Sequence, residues 1–317
     1  MKSPKILVYS PQAKEVEKYV EILRSHGCTQ VAAASTPEEA ERHLPETEVL
    51  LCWKFPIQLL PSPAAANVRW VQSMGAGVDD WVSAGEVPSR IVITRILDQF
   101  GGPIAEYVFA YLLSLAKDLP RLRTAQSERR WEPFVTGFLQ NKTIGVAGLG
   151  SIGAEIVRKA RAFDMKVAGL SHSGRQAHLV DRHFGPHEWS SFVQELDYLV
   201  LTLPLTKETH HVVDRQVLLA MKPDACLVNV GRGSLIAEAD LIGVLHSGHL
   251  QAAVLDVFEQ EPLLADSPLW NMPNVFVTPH LSGPSTPEDV GRFFLQNLER
   301  YVQGKPLAGA VNRELGY

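Results

Sequence analysis

The sequence predicts an α/β protein of two domains, each built on a parallel sheet, with an inter-domain cleft. Three observations predict it. At 317 residues the chain exceeds what one hydrophobic core usually organises. Short apolar runs rich in Val and Ile alternate with longer segments of helical period, and that alternation occurs twice. Between the two blocks, residues 101–119 form a helical stretch that is apolar on most of its faces, as a helix buried between domains or subunits would be.

In the first block, strands are expected at 5–10, 30–35, 48–53, 69–74 and 91–96. Helices fall between them: "AKEVEKYVEILRSHG" stops at Gly27, and "STPEEAERHL" has Ser35 as N-cap and Pro37 in its first turn. The second block opens with 143–150 and continues with strands at 166–171, 198–203, 226–231, 252–258 and 275–280. Residues 286–304 then read as an amphipathic helix, with Thr286 as N-cap, Pro287 at the first helical position and Gly304 as the stop. No strand follows that helix, so it must pack on something already built. It is expected to return to the first block, giving a discontinuous domain of 1–98 plus 285–317 and a second domain of 99–284. Two crossings make a hinge, and the cleft at the carboxyl ends of the second sheet becomes the natural ligand site.

Composition narrows the function. A formal net charge of −5, with no long run of Lys or Arg, gives no general attraction to nucleic acid or anionic membranes. Cys28, Cys52 and Cys226 lie far apart without metal-ligand spacing, as packing thiols in a reducing compartment do. The opening "MKSPKILVYSPQ" has only a short apolar run ended by proline, unlike a signal peptide, and no stretch approaches the roughly twenty apolar residues of a membrane helix. A cytoplasmic protein acting on a small molecule is the expectation, with no metal.

"IGVAGLGSIGAEI" suggests what part of that ligand is. Gly148 permits a tight turn, Gly150 lets a pyrophosphate approach the backbone, and Gly153 lets a helix pack on the preceding strand. With Leu149, Ser151 and Ile152 they place free amides at a helix N-terminus, facing an anion. An apolar strand before the turn and a helix after it make this a dinucleotide site rather than an ordinary turn. Such sites usually carry Asp or Glu at the end of the next strand. Here Ser171, His172, Ser173, Gly174 and Arg175 stand instead. They offer hydroxyl donors and a positive charge to a phosphate, where an acid would accept from ribose hydroxyls and repel one.

Three later strand ends carry Arg232 in "NVGRGSLI", Glu261 in "LDVFEQEPL" and His280 in "VTPHLSG". Singly, each has a structural account: a surface ion pair, a solvated acid, a core histidine. Together they follow successive strands of one sheet, so their side chains can converge. With "SMGAGVDDW", "GVAGLGSIGAEI", "LTLPLTKETHHVV" and "SPLWNMPNVFVTPHLSG", in this order over nearly the whole chain, they make the sequence resemble the D-isomer-specific 2-hydroxyacid dehydrogenases, in particular the glyoxylate/hydroxypyruvate reductases.

The resemblance implies two Rossmann-like or flavodoxin-like domains and NAD(P)H-dependent reduction of small 2-keto acids such as glyoxylate and hydroxypyruvate. It puts the catalytic Arg on Arg232, the acid on Glu261 and the proton donor on His280. The chemistry agrees: a buried Glu261 would favour the imidazolium of His280, and the planar fork of Arg232 suits carboxylate and carbonyl oxygens. Substrate contacts are implied at Trp53, Gly75, Ala76, Gly77, Arg95, Arg232 and His280. Cofactor contacts are implied at Leu203, Pro204, Thr209, Val230, Gly231 and Asp256, the last beside the nicotinamide carboxamide unless it is a cap at a strand end. The strand-end loop tips the cofactor toward NADP(H), with NAD(H) possible. Helix 101–119 and the arm with Trp131 imply a homodimer. Two alternatives stand: a dehydrogenase for a bulkier acid, depending on Trp53, Arg95 and the surroundings of Trp270, and an NAD(H)-sensing binding protein without turnover.

Overall fold

The computed structural model describes residues 4–83 and 87–314. The chain divides into two compact units, Met1–Gln99 with Ser285–Tyr317, and Phe100–Pro284; residues 1–3 and 315–317 of the first lie outside those described.

The first unit alternates β1 (Ile6–Tyr9), α1 (Ala13–Ser25), β2 (Val31–Ala34), α2 (Pro37–His43), β3 (Val49–Cys52), β4 (Trp70–Ser73), α3 (Asp79–Ser83) and β5 (Val92–Thr94). The five strands pair in parallel in the order β2-β1-β3-β4-β5, the flavodoxin-type order. Strands β1 and β3 are buried along their whole length, which is why they read as continuous apolar runs; β4 is buried too but ends in the polar Gln72 and Ser73. The fifth strand is shorter than 91–96 because its last residues leave the ladder: the Arg95 amide donates to Gly309 and that of Ile96 to Gly75. Thr36, not Ser35, caps α2 by accepting from the Glu39 amide at 3.3 Å; Ser35 instead donates to the Glu39 carboxylate.

The second unit holds α4 (Gly101–Lys117), α5 (Leu119–Ser127), β6 (Thr143–Ala147), α6 (Ser151–Ala162), β7 (Lys166–Leu170), β8 (Arg182–Phe184), α7 (Trp189–Val193), β9 (Tyr198–Leu201), α8 (Arg215–Ala220), β10 (Cys226–Asn229), α9 (Glu238–His246), β11 (Ala252–Leu255) and β12 (Val275–Val277). Its sheet runs β12-β11-β10-β9-β6-β7-β8. Counted within the unit this is the doubly wound order 3-2-1-4-5-6 with one strand added, and the order reverses between β6 and β9. Ligands of such sheets bind beyond the carboxyl ends of the strands at that reversal. Two elements differ from expectation. The edge strand β8, "RHF", has no apolar run to announce it and is held by its ladder to β7. The stretch 101–119 breaks at Asp118, whose backbone is left-handed (φ 49°) and whose carboxylate caps α5 by accepting from the Arg121 amide.

The last helix, α10 (Pro287–Val302), belongs to the first unit. It packs on α1, where Gly291 meets Ile22, and lays Phe294 and Tyr301 on the indole of Trp70, with ring centroids 5.1 and 5.5 Å apart. Burying Phe294 completely contributes roughly 2–3 kcal/mol. Among the described residues no helix is long and apolar enough to cross a membrane.

Candidate active site

At the carboxyl end of β6 the chain turns at Gly148 (φ 103°), and a Cβ there would also lie 2.7 Å from Thr202 Oγ1. Thr202 donates its hydroxyl to the Gly148 carbonyl at 2.7 Å, locking the turn to the end of β9. Gly153 sits so near the same carbonyl that a Cβ would come within 1.9 Å of it. Gly150, by contrast, faces open space and precedes α6 without any side-chain cap. Ser151 is exposed and Ile152 half-buried at the helix start, while Leu149 turns inward against Gly169. Two glycines packed tight and one facing outward before an uncapped helix form a cradle that fits a pyrophosphate.

The end of β7 leads into the 171–175 loop. Ser171 is buried, and His172, Ser173 and Arg175 are exposed. No carboxylate lies among these five residues. Leu203 and Pro204 follow β9 half-buried, and Thr209 donates its hydroxyl to the Pro204 carbonyl at 2.7 Å, so it shapes the loop that carries them. Val230 and Gly231 follow β10 and are buried; a Cβ on Gly231 would lie 3.0 Å from the Leu203 carbonyl oxygen, so these two strand-end loops abut.

Two of the three polar strand ends meet directly, and the charge of the third, Arg232, acts on Glu261 while its Nη1 donates to the Gly231 carbonyl at 2.7 Å. His280 Nδ1 lies 2.8 Å from Glu261 Oε2, and Glu261 Oε1 accepts from the Phe258 amide at 3.2 Å. Glu261 is not buried as expected: its side chain is 37% exposed, because the loop after β11 carries it outward. Partial burial alone would push its carboxyl up. The hydrogen bond and charge of His280, the Phe258 amide and the charge of Arg232 outweigh that and hold it below the usual carboxylate range. Arg232 stands in extended backbone, braced by Asn229, whose amide donates to the Arg232 carbonyl at 2.8 Å and accepts from the Gly231 amide at 3.1 Å.

Asp256, at the end of β11, is fully buried. Its Oδ1 accepts from the Thr278 hydroxyl at 2.6 Å and the Leu281 amide at 2.9 Å, its Oδ2 from the Ser282 amide at 2.9 Å, and its carbonyl from the His280 amide at 2.9 Å. This is the geometry of a cap that holds the His280 loop. It keeps His280 left-handed (φ 53°), a conformation costing a non-glycine residue on the order of 1 kcal/mol. Tyr107 of α4 completes the anchor through its hydroxyl, 2.7 Å from Thr278 Oγ1.

In the first unit, Trp53, Gly75, Ala76, Gly77 and Arg95 also come together. A Cβ on Gly75 would lie 2.7 Å from the Trp53 ring, and Arg95 Nη1 reaches the Ala76 carbonyl at 3.5 Å. Trp53 is 37% exposed, and Trp270 of the second unit is half-exposed with its indole N–H donating to Leu264. Thr202, Asn229, Thr278 and His183 were not singled out from the sequence. The first three share one signal: each is a polar residue ending or just following an apolar strand.

The sequence model described as "D-isomer specific 2-hydroxyacid dehydrogenase, NAD binding domain" matches residues 109–282. A D-isomer specific 2-hydroxyacid dehydrogenase family protein from Aeromonas salmonicida is 36% identical, with a TM-score of 0.90 over 98% of this chain and 100% of that one. An NADPH-dependent glyoxylate/hydroxypyruvate reductase from Sinorhizobium meliloti, solved with NADP and sulfate, is 29% identical, with a TM-score of 0.89 over the full length of both. Glyoxylate/hydroxypyruvate reductase A of Serratia proteamaculans is 30% identical across 84% of this chain and 87% of its own. With its cradle, its paired imidazole and carboxylate and its doubly wound sheet, the chain belongs to the D-isomer specific 2-hydroxyacid dehydrogenase family.

Proposed function

We propose that the protein reduces small 2-keto acids of the glyoxylate and hydroxypyruvate kind to 2-hydroxy acids, with NADPH preferred to NADH. The observation that carries the reading is the 2.8 Å contact between His280 Nδ1 and Glu261 Oε2, with the charge of Arg232 acting on the same carboxylate. The names of the Serratia and Sinorhizobium relatives support the substrate class, and the NADP in the latter supports the cofactor.

A bound nicotinamide dinucleotide supplies the hydride. The cradle of Gly148, Leu149, Gly150, Ser151, Ile152 and Gly153 would hold its pyrophosphate, with Leu203, Pro204, Thr209, Val230 and Gly231 along its length and Ser171, His172, Ser173 and Arg175 at its adenosine end. Because Nδ1 of His280 is committed to Glu261, Nε2 is the atom from which a proton passes to the keto oxygen. Glu261 fixes the orientation of the ring through that contact. Arg232 orients the carboxylate and carbonyl oxygens so that one face of the carbonyl is presented. Asp256 acts by holding the His280 loop. In the first unit the loop of Gly75, Ala76 and Gly77, with Trp53 against it and Arg95 behind it, would bind the substrate carboxylate through its amides.

The same reading makes the protein a cytoplasmic homodimer. Trp131, Val135 and Phe138 are 97%, 95% and 63% exposed, a cost in water that a second copy would relieve, and the three cysteines are buried and unpaired. Purified protein assayed with glyoxylate, hydroxypyruvate, pyruvate and phenylpyruvate should consume NADPH faster than NADH and act best on the first two. Consumption of neither reduced cofactor with any of the four would refute the proposal.

A further inference from the structure

One imidazole beside the 171–175 loop has no part in the proposed reaction. His183, on β8, sets its Nε2 2.8 Å from the hydroxyl of Ser171. Two further contacts tie that strand to the loop. The Ser171 amide donates to the Phe184 carbonyl at 3.1 Å, and a Cβ placed on the left-handed Gly174 (φ 63°) would have His183 Cε1 as its nearest neighbour, at 3.8 Å.

Ser171 is only 8% exposed, and a hydroxyl has one proton to give. If Nε2 accepts, Ser171 spends that proton on the ring and offers outward only lone pairs, which suit a ribose hydroxyl and repel a phosphate oxygen. If Nε2 carries a proton, it donates to Ser171 Oγ and releases the hydroxyl to donate outward.

We propose that His183 is a further specificity-determining residue: protonated on Nε2, it donates to Ser171 and so turns the Ser171 hydroxyl into a donor for the phosphate on the adenosine 2′ oxygen. The inference rests on the reading of NADPH as the preferred cofactor. His183 acts through Ser171 and is a positioning residue.

The test is titration calorimetry of the full-length protein with adenosine 2′,5′-bisphosphate and with adenosine 5′-monophosphate, which differ only in the 2′-phosphate. Wild type should bind the bisphosphate more tightly. His183→Phe keeps a ring and loses both nitrogens; it should weaken the bisphosphate about tenfold and the monophosphate less than about twofold. His183→Gln, whose amide still donates to Ser171, should retain most of the preference. Steady-state kinetics of His183→Phe should show the same split, with KM for NADPH rising relative to KM for NADH. Wild type binding both nucleotides alike would remove the NADPH reading and this inference with it. Wild type preferring the bisphosphate, with His183→Phe preferring it as strongly, would overturn the role of His183 alone. Equal loss of both nucleotides in His183→Phe would also overturn it, since a merely structural residue behaves so.

Discussion

Gly233 lies so close to Phe258 that a Cβ on it would come within 1.8 Å of the Phe258 carbonyl carbon and 2.0 Å of its oxygen. The contact is backbone to backbone, so neither side can yield by changing a rotamer. It joins the loop that carries Arg232 to the loop that carries Glu261.

Gly233→Ala must therefore part the two loops. Overpacking of this kind costs about 1–3 kcal/mol, and a shift of a few tenths of an ångström in Arg232 or Glu261 should lower kcat/KM for the keto acid by at least about tenfold. Urea unfolding and steady-state kinetics measure the two effects. A variant with wild-type kinetics would mean that the relative placement of these loops does not matter to turnover.

Asp256→Asn tests the anchor. The substitution keeps the volume but presents an amide to two backbone N–H groups and a hydroxyl that now donate to a carboxylate. Losing a charged acceptor from a fully buried site should cost about 2–4 kcal/mol of stability. The left-handed turn at His280 loses its support with it, so kcat should fall even at temperatures where the variant is folded. Full activity in folded Asp256→Asn would deny the residue its part in holding His280.

Glu261→Gln separates catalysis from stability. The folded carboxyl lies below its unfolded value of about 4.3, so its pairing contributes stability that is complete above that value and lost as pH falls through the lower, folded one. Both side chains are more than a third exposed, and solvent screening limits the contribution to less than about 1 kcal/mol. The gap in unfolding free energy between wild type and variant should thus be small at neutral pH and close below about pH 4. The loss in kcat should be far larger, about tenfold to a thousandfold, because the imidazole loses the group that orients it. Equal losses in stability and in activation free energy would make Glu261 a structural residue.

What the sequence disclosed follows from how local each constraint is. Gly148 and Gly153 were readable because a turn and a close helix approach exclude side chains whatever lies elsewhere. Strands β1, β3, β6 and β10 were readable because burial on both faces demands apolar runs. The edge strand β8 was not, since Arg-His-Phe becomes a strand only through its pairing with β7. The same holds for His183, whose significance depends on Ser171, twelve residues away in sequence. Asp118 hid a helix break inside an apolar period, because a left-handed residue that also caps the next helix leaves the period intact. Asp256 shows the limit most plainly. An acid at a strand end is legible in the sequence, but the choice between a ligand contact and a cap turns on amides 25 and 26 residues downstream.

Arg175 offers the most direct test of the adenosine end. It is exposed and stands in a loop without an acid, so its contribution to NADPH binding should be a charge effect rather than a packing one. Arg175→Asp replaces attraction by repulsion of the 2′-phosphate and should lower the ratio of kcat/KM for NADPH to that for NADH by about ten- to a hundredfold. An exposed charge is also screened: between about 0.01 M and 1 M salt the Debye length falls from about 30 Å to about 3 Å. The wild-type ratio should accordingly fall with salt while that of the variant rises toward it, because repulsion is screened as attraction is. A ratio unmoved by the substitution would show that the loop discriminates without Arg175. A ratio moved by the substitution but indifferent to salt would place the guanidinium in a directed, fork-like contact with the phosphate, a geometry that Arg175→Lys would then fail to restore.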